Sequence, residues 1–294
     1  MRRLPPCGTV PAFAPARTKM SASSPSLAWR SRLGWNRASY LLVSLFFAAI
    51  VVIGIVWWPL LDDYVGSLDP RLAWWRQVDW LLLGVFGAMT LLIMARADVK
   101  RDLRTVAVGL MGGLVIESWG TQTGLWTYYT LERPPMWIVP AWPIASLAID
   151  RLTGLLERPF ARFGGRAIRA AYAITFGAFT VLMVDFVRPT MGLSLTIAAM
   201  LLCAFLIATP VQPRVALATF FAGAALGTFL ELWGTTRGCW IYYTHETPPV
   251  FAVLAHGMAA VAFWRTGDAL SRVAGKLNGQ RIAGRREEAV GPSP

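Results

Sequence analysis

The sequence predicts an all-α polytopic membrane protein with eight transmembrane helices, arranged as two four-helix repeats. The chain has 294 residues, of which 55% are hydrophobic and only 15% charged, which is more apolar than a soluble core of this size requires. A segment that begins at Glu117 recurs at Glu231. Apolar runs of about the length needed to cross a bilayer lie near 41–60, 79–96, 105–119, 135–150, 169–186, 192–209, 215–233 and 249–264.

The positions of the cations predict which side of the membrane each loop faces. Cytoplasmic loops of membrane proteins carry an excess of Lys and Arg. If the N-terminus is cytoplasmic, 23 of the 28 Lys and Arg residues lie on that side and five lie outside. We therefore predict a multi-pass protein of a bacterial-type inner membrane, with both termini cytoplasmic. The net charge of +12 then reflects topology, and no nucleic-acid partner is expected.

An internal repeat defines the domain organisation. At an offset of 114 residues, 17 of the 35 positions in 117–151 are identical to those in 231–265, far above chance. Four spans return the chain to its starting side, so the repeats should share one orientation and be related by an axis along the membrane normal. The predicted parts are a disordered basic N-terminal tail (1–38), a first repeat (39–151), a cytoplasmic linker (152–168), a second repeat (169–265) and a loose C-terminal tail (266–294).

Each repeat places a glutamate at the end of a glycine stripe. Gly109 and Gly113 precede Glu117 at intervals of four residues, and Glu231 is preceded by glycines in the same way. This spacing puts the three residues on one helical face, where small residues let another helix approach closely. We expect each Glu to face the bundle interior, where an ionised carboxylate is costly and a protonated one can donate a proton. Alternatively, each Glu bonds the N-terminus of the next helix.

Aromatic residues surround both glutamates in the sequence. They form an interfacial aromatic belt, or they bind substrate and stabilise a carbocation with their electron-rich faces. Trp119, Trp126, Tyr128 and Tyr129 belong to the first copy, and Trp233, Trp240, Tyr242 and Tyr243 to the second.

Three further residues have two interpretations each. Asp63 and Asp185 end the first span of each half, where they position water, act as a base, or lie in solvated loops. His256 occupies the position of Trp142 in the first copy, and we expect it to be a packed helix residue and not a ligand.

No metal or cofactor site is predicted. The chain has two histidines and three scattered cysteines, whereas structural zinc and membrane di-iron centres need clusters of such ligands. The sequence also contains no Gly-rich phosphate loop and no nucleophile elbow.

The pattern E-x-x-G-x-x-x-G-x-x-x-Y is present from Glu117 to Tyr128 and again from Glu231 to Tyr242. It resembles the membrane carotenoid biosynthesis family that includes the carotenoid hydratases. The W-G-x-x-x-G-x-W portion is similar to the small integral-membrane lycopene cyclases. The resemblance implies acid-initiated isoprenoid chemistry without a redox cofactor, in which Glu117 or Glu231 protonates a C=C bond and water or a second alkene captures the cation.

Two other classes of protein fit the same residues. One is a transporter or lipid-binding membrane protein that uses the paired Glu residues as proton or substrate sites, and the other is a structural subunit. An enzyme requires an apolar tunnel that is open to lipid and ends at a Glu, whereas a transporter requires a polar cavity that reaches water. The expected partners are membrane lipid and an apolar isoprenoid substrate, and the sequence does not indicate an oligomeric state.

Reporter fusions test the predicted topology. A reporter that works only outside the cytoplasm should be active when it is fused near Thr130 or Thr244, because both motif loops are expected outside. Fusions near Lys100, Arg162 and the C-terminus should be active only as cytoplasmic reporters. Cytoplasmic labelling of either motif loop would disprove the eight-span arrangement.

Overall fold

The computed structural model describes the backbone of residues 34–289 and the side chains of residues 34–276. Most of the predicted disordered tail, 1–38, lies outside these residues. The described part contains nine α-helices and two short strands. They are α1 (Arg37–Val56), α2 (Trp58–Gly66), α3 (Trp80–Met94), α4 (Val99–Thr123), β1 (Trp126–Tyr128), α5 (Ala141–Phe160), α6 (Gly165–Phe186), α7 (Ser194–Ala208), α8 (Pro213–Thr236), β2 (Trp240–Tyr242) and α9 (Val250–Ala289).

Four of these helices are long and apolar enough to cross a membrane. They are α1, α6, α8 and the part of α9 from Val250 to Lys276, while α3 and α7 are shorter apolar helices. Large hydrophobic side chains such as Ile55, Val181 and Leu201 are exposed on their outer surfaces. Such apolar outer faces suit contact with lipid. The structure therefore confirms a helical protein with membrane-compatible helices, while the count of eight spans stays a prediction.

The fourth predicted span is shifted along the chain. It was expected at 135–150, but α5 begins at Ala141 after a series of turns and ends at Phe160. The predicted linker 152–168 is therefore mostly helical, since α6 starts at Gly165 and only 161–164 connect the two helices. The physical reason is that Leu152 and Leu156 pack against the hydrophobic core and so continue the apolar face of α5.

The backbone after residue 265 is helical, whereas the sequence predicted a loose tail there. Helix α9 continues without interruption to Ala289. No proline occurs between 250 and 289 to stop it, and Arg272 forms an ion pair with Asp268 one turn earlier, at 2.6 Å. Pairs at this spacing stabilise an exposed helix.

The glycine stripes bring each Glu-bearing helix against the helix that follows its strand. A Cβ added at Gly109 would lie 2.9 Å from Cα of Pro143 on α5, and one at Gly223 would lie 2.6 Å from the carbonyl oxygen of His256 on α9. Such distances leave no room for a side chain. The predicted close helix approach is confirmed for both pairs.

The arginine that ends each repeat fastens the same two elements in both halves. Arg151 donates from Nε to the carbonyl oxygen of Ala95, just after α3, at 2.8 Å, and its guanidinium forms a buried 2.6 Å ion pair with Asp102. Arg265 donates to the carbonyl oxygen of Leu206 on α7 at 2.6 Å. Each arginine thus joins the last helix of its repeat to the end of the second predicted span, which is α3 in the first repeat and α7 in the second.

Substituting Gly223 tests the helix contact. Gly223→Ala should lower the free energy of unfolding by about 1–3 kcal/mol, because α8 and α9 must separate to admit the methyl group. Gly177→Ala on α6 is the matched control, since nothing lies within 4 Å of the added Cβ. Thermal unfolding in detergent measures both, and equal melting temperatures for the two variants would contradict the close contact.

Candidate functional site

The two motif segments meet as a two-stranded antiparallel sheet. Trp126 pairs with Tyr242, and Tyr128 pairs with Trp240. Alternate residues of a strand point to the same face, so these four aromatic side chains share one face of the ribbon. Their rings are in contact across the strands, with centroids 5.9 Å apart for Trp126 and Tyr242 and 5.8 Å apart for Tyr128 and Trp240.

Glu117 is buried and accepts three side-chain hydrogen bonds. Only 3% of the surface of Glu117 is exposed. The Trp126 indole donates to Oε2 at 3.1 Å, and the Tyr128 hydroxyl donates to Oε1 at 2.9 Å. The Trp142 indole, from α5, donates to Oε1 at 3.0 Å. All three of these hydrogen bonds to the carboxyl group therefore come from aromatic side chains.

Glu231 has the corresponding environment with one change. The residue is 4% exposed. Its Oε2 accepts from the Trp240 indole at 3.0 Å, and its Oε1 accepts from the Tyr242 hydroxyl at 2.9 Å. The third partner is His256, whose Nε2 lies 2.9 Å from Oε1. Since side chains surround both carboxyl groups, the alternative in which each Glu caps the next helix is wrong.

The motif glycines explain how the aromatic donors reach the carboxyl groups. Gly124 follows α4 in the left-handed conformation with φ +75°, and Gly238 follows α8 in the same conformation with φ +67°. This is the usual role of glycine after a helix. The chain then turns back, and the Trp126 ring lies directly on Gly120, where a Cβ would be 1.9 Å from the ring. Glycine is thus required both for the turn and for seating the indole.

Trp142 and His256 complete the site, although the sequence alone indicates a functional role for neither residue. Their rings are stacked, with centroids 5.6 Å apart and planes 16° apart. The expectation that His256 is only a packed residue is wrong, because its ring contacts Glu231. The available signal was positional, since each residue follows its motif Glu by 25 positions and carries a ring N–H.

The two carboxyl groups differ in what their partners can do. An indole N–H can only donate a hydrogen bond, whereas an imidazole nitrogen either donates or accepts. Glu231 and His256 can therefore share one proton between Oε1 and Nε2. Glu117 has no such titratable nitrogen, because Trp142 stands in that place.

A cavity of about 970 Å³ opens beside the two carboxyl groups. Along α9 its lining extends from Phe251 to Leu270, a distance of about 28 Å at 1.5 Å per residue. The lining is predominantly aliphatic and aromatic, with Glu117, Glu231 and His256 among its few polar groups. Of the eight aromatic residues predicted to bind substrate, six line this cavity: Trp119, Trp126, Tyr128, Trp233, Trp240 and Tyr242.

The other two predicted aromatic residues hold the ribbon in place. The Tyr129 hydroxyl donates to the carbonyl oxygen of Val56 at the end of α1. The Tyr243 hydroxyl donates to the carbonyl oxygen of Phe186 at the end of α6, at 2.6 Å. Neither tyrosine lines the cavity, so their predicted contact with substrate is replaced by an anchoring contact.

The positions of Asp63 and Asp185 favour the solvated alternative over a role in positioning water or accepting a proton. Asp63 is exposed on α2. Asp185 has a side chain 69% exposed and forms a surface ion pair with Arg188 at 2.7 Å. Neither residue lines the cavity, because α2 and the C-terminal end of α6 direct them to the surface.

A different aspartate, Asp79, reaches the site across the repeats. Its Oδ2 accepts from the Trp233 indole at 2.9 Å and from Nε of Arg237 at 3.1 Å. Trp57 of α1's C-terminal end stacks on Trp233, with centroids 5.1 Å apart. Asp79 therefore fixes an aromatic wall of the cavity although it precedes α3 in the other half.

Comparison with known proteins adds nothing to this geometry. No family model, no curated protein and no solved structure matches the chain. Within residues 34–276, no group of three His, Cys, Asp or Glu side chains is placed to hold a metal ion.

Replacing Asp79 tests this positioning contact. Burial raises the pKa of Asp79, but the Leu82 backbone N–H, the Trp233 indole and Arg237 together hold the pKa below its ordinary value. The contact should therefore stabilise the fold above the ordinary carboxyl range and lose its effect as the pH falls through the lowered pKa. Asp79→Asn should cost about 1 kcal/mol or more at neutral pH.

Asp185→Asn is the control for that experiment. It removes a surface ion pair of 2.7 Å, shorter than the 3.1 Å pair of Asp79 with Arg237, and this should change stability by less than about 1 kcal/mol. Unfolding measured across pH should show the Asp79 difference shrinking in acid. A difference that is constant with pH would show that the charge of Asp79 is not involved.

Proposed function

We propose that this protein is a membrane-embedded, cofactor-independent enzyme that protonates a C=C bond of a carotenoid or other isoprenoid. The observation that carries the proposal is the long apolar cavity that ends at two buried carboxyl groups ringed by aromatic side chains. A pocket of about 300–1,000 Å³ is typical for a small-molecule ligand. This one is at the upper end of that range and offers almost no polar contacts away from Glu117, Glu231 and His256.

The membrane itself supplies such a substrate. Exposed apolar residues of α4 and α7, among them Met111, Val115 and Leu202, also line the cavity. The opening between these helices is therefore apolar, which suits a molecule dissolved in lipid. A transporter for a polar solute would need a polar path to water, and the lining of this cavity does not favour it.

The proposed reaction begins with proton transfer from Glu231. The alkene π electrons form a C–H bond with the carboxyl proton. This leaves Glu231 as a carboxylate and puts a cation on the neighbouring carbon of the substrate. The faces of nearby aromatic rings, including Trp240 and Tyr242, stabilise that positive charge. Water then bonds to the cation and gives up a proton, which restores Glu231 with no change of redox state. In a cyclisation a second alkene bonds instead, and a C–H proton is returned.

The two glutamates have separate roles in this proposal. Glu231 is the acid, because His256 Nε2 at 2.9 Å accepts or returns its proton between steps. Glu117 receives two indole N–H groups, from Trp126 and Trp142, and an indole cannot accept a proton. In this proposal Glu117 therefore positions the aromatic side chains that line the cavity.

A smaller cavity favours hydration over cyclisation. Its volume is about 220 Å³, and Trp240 lines both it and the large cavity. Polar side chains of Thr235, His245, Glu246 and Thr247 surround it. A space of this size holds several waters, so we assign it the supply of water on the loop side of Trp240.

The proposed topology is the eight-span arrangement with both termini cytoplasmic. It uses α1 and the helices from α3 to α9 as spans, and α2 as a short helix outside the set. The distribution of Lys and Arg supports it, since 23 of 28 then lie inside. The β1–β2 ribbon and both carboxyl groups then lie near the outer face.

Glutamine variants test the acid. In an isoprenoid-producing host, Glu231→Gln should insert normally and reduce turnover by about two to four orders of magnitude, the usual contribution of a general acid. Glu117→Gln should have a smaller effect, because Glu117 is not the proton donor in this proposal. Glu132→Gln, in the same motif but exposed, is the control. Chromatography with mass spectrometry detects a product heavier by one water, or an isomer of unchanged mass.

Two results would contradict the proposal. Undiminished turnover by the Glu117→Gln, Glu231→Gln double variant would exclude acid catalysis by these residues. An isoprenoid that copurifies with the protein but is never converted would identify a lipid-binding protein instead.

A further inference from the structure

The large cavity reaches further along the helices on one side of the molecule than on the other. Its long arm lies between α4, α7 and α9. Residues from all three helices line it: Val108, Met111, Gly112, Leu202, Ala259, Ala262, Phe263, Thr266 and Leu270. Most of these side chains are small or aliphatic, so the arm is an apolar channel.

In the other half the lining of the cavity goes no further than Phe86 on α3 and Ala145 on α5. Beyond them, Met89 and Ile93 of α3 pack with Leu226 in one buried cluster. At the repeat offset, Leu226 corresponds to Gly112 of the long arm. A Cβ at Gly112 would lie 2.0 Å from the Phe263 ring, so the ring of a cavity-lining residue lies over Gly112 where the other half has a buried leucine.

The long arm has a polar end at a defined depth. Arg104 of α4 donates to the hydroxyl of Ser271 on α9, one residue beyond the last cavity-lining position, Leu270. From His256 to Ser271 is 15 residues, from 271 minus 256, which corresponds to about 22 Å along the helix. An apolar chain that enters the arm therefore meets a charged group at this distance from the carboxyl groups.

We propose that the long arm measures the length of one linear polyprenyl chain. The reacting end lies at Glu231 and His256, and the tail extends toward Arg104 and Ser271. The identity of the reacting end rests on the proposed function, whereas the length selection is a property of the channel and needs no turnover. A phospholipid acyl chain is a poor occupant, because the lateral opening is apolar and would place a headgroup among hydrocarbon.

Shortening the channel tests the inference. The purified full chain is reconstituted in phosphatidylcholine nanodiscs with an equimolar series of linear all-trans polyprenes, and the retained ligands are identified by mass spectrometry. Ala262→Phe places a ring about 9 Å beyond His256, and Thr266→Phe places one about 15 Å beyond it, at 1.5 Å per residue. Each should reduce retention of the longest ligand by about tenfold or more, because the ring overlaps the bound chain.

The pattern of the variants distinguishes the possible results. Ala262→Phe should shift the preferred length further than Thr266→Phe, and Leu201→Phe, which adds the same ring to the exposed face of α7, should leave it unchanged. Thr266 is exposed, so its variant carries the test if Ala262→Phe does not fold. A length profile that is the same in the wild type and Thr266→Phe, or retention of phospholipid alone, would overturn the inference. A shifted profile without turnover would uphold it and count against the proposed reaction only.

Discussion

The structure depends on satisfying two carboxyl groups in an apolar interior. Burying an unpartnered carboxylate costs many kcal/mol, and the chain answers this by surrounding Glu117 and Glu231 with three donors or exchangeable partners each. Each set combines a Trp and a Tyr from the strand that follows the Glu with a ring from the next helix. The turn, the strand and the helix contact are all consequences of that requirement.

The same requirement joins the two halves into one unit. Each strand finds its hydrogen-bonding partner only in the other copy. The Trp119 indole donates to Thr196 of the second half at 3.2 Å, and the Trp233 indole donates to Asp79 of the first half at 2.9 Å. A single repeat would leave its strand edge and one indole unpaired, which is costly away from water. Duplication is therefore part of how the site is built.

Duplication also allowed the copies to diverge at matching positions. Trp142 and His256 occupy the same place relative to their glutamates, yet only the imidazole exchanges a proton. Gly112 and Leu226 are likewise equivalent, and the glycine accommodates the Phe263 ring where the leucine packs into a buried cluster. The second copy thus pairs its glutamate with an imidazole, while the first pairs its glutamate with an indole. These assignments follow from small side-chain differences within an otherwise shared frame.

The sequence by itself determined the apolar helices, the repeat, the glycine contacts and the inward position of the two glutamates, but not the hydrogen bonds of these glutamates to the motif Trp and Tyr residues. Periodicity and spacing report these features because they are local or are duplicated in the chain. Only the tertiary structure decided the pairing of β1 with β2, the contact of His256 with Glu231, the surface position of Asp185 and the unequal reach of the cavity in the two halves. Such features depend on which helices pack together and how completely side chains fill the space between them, and no local pattern encodes that volume.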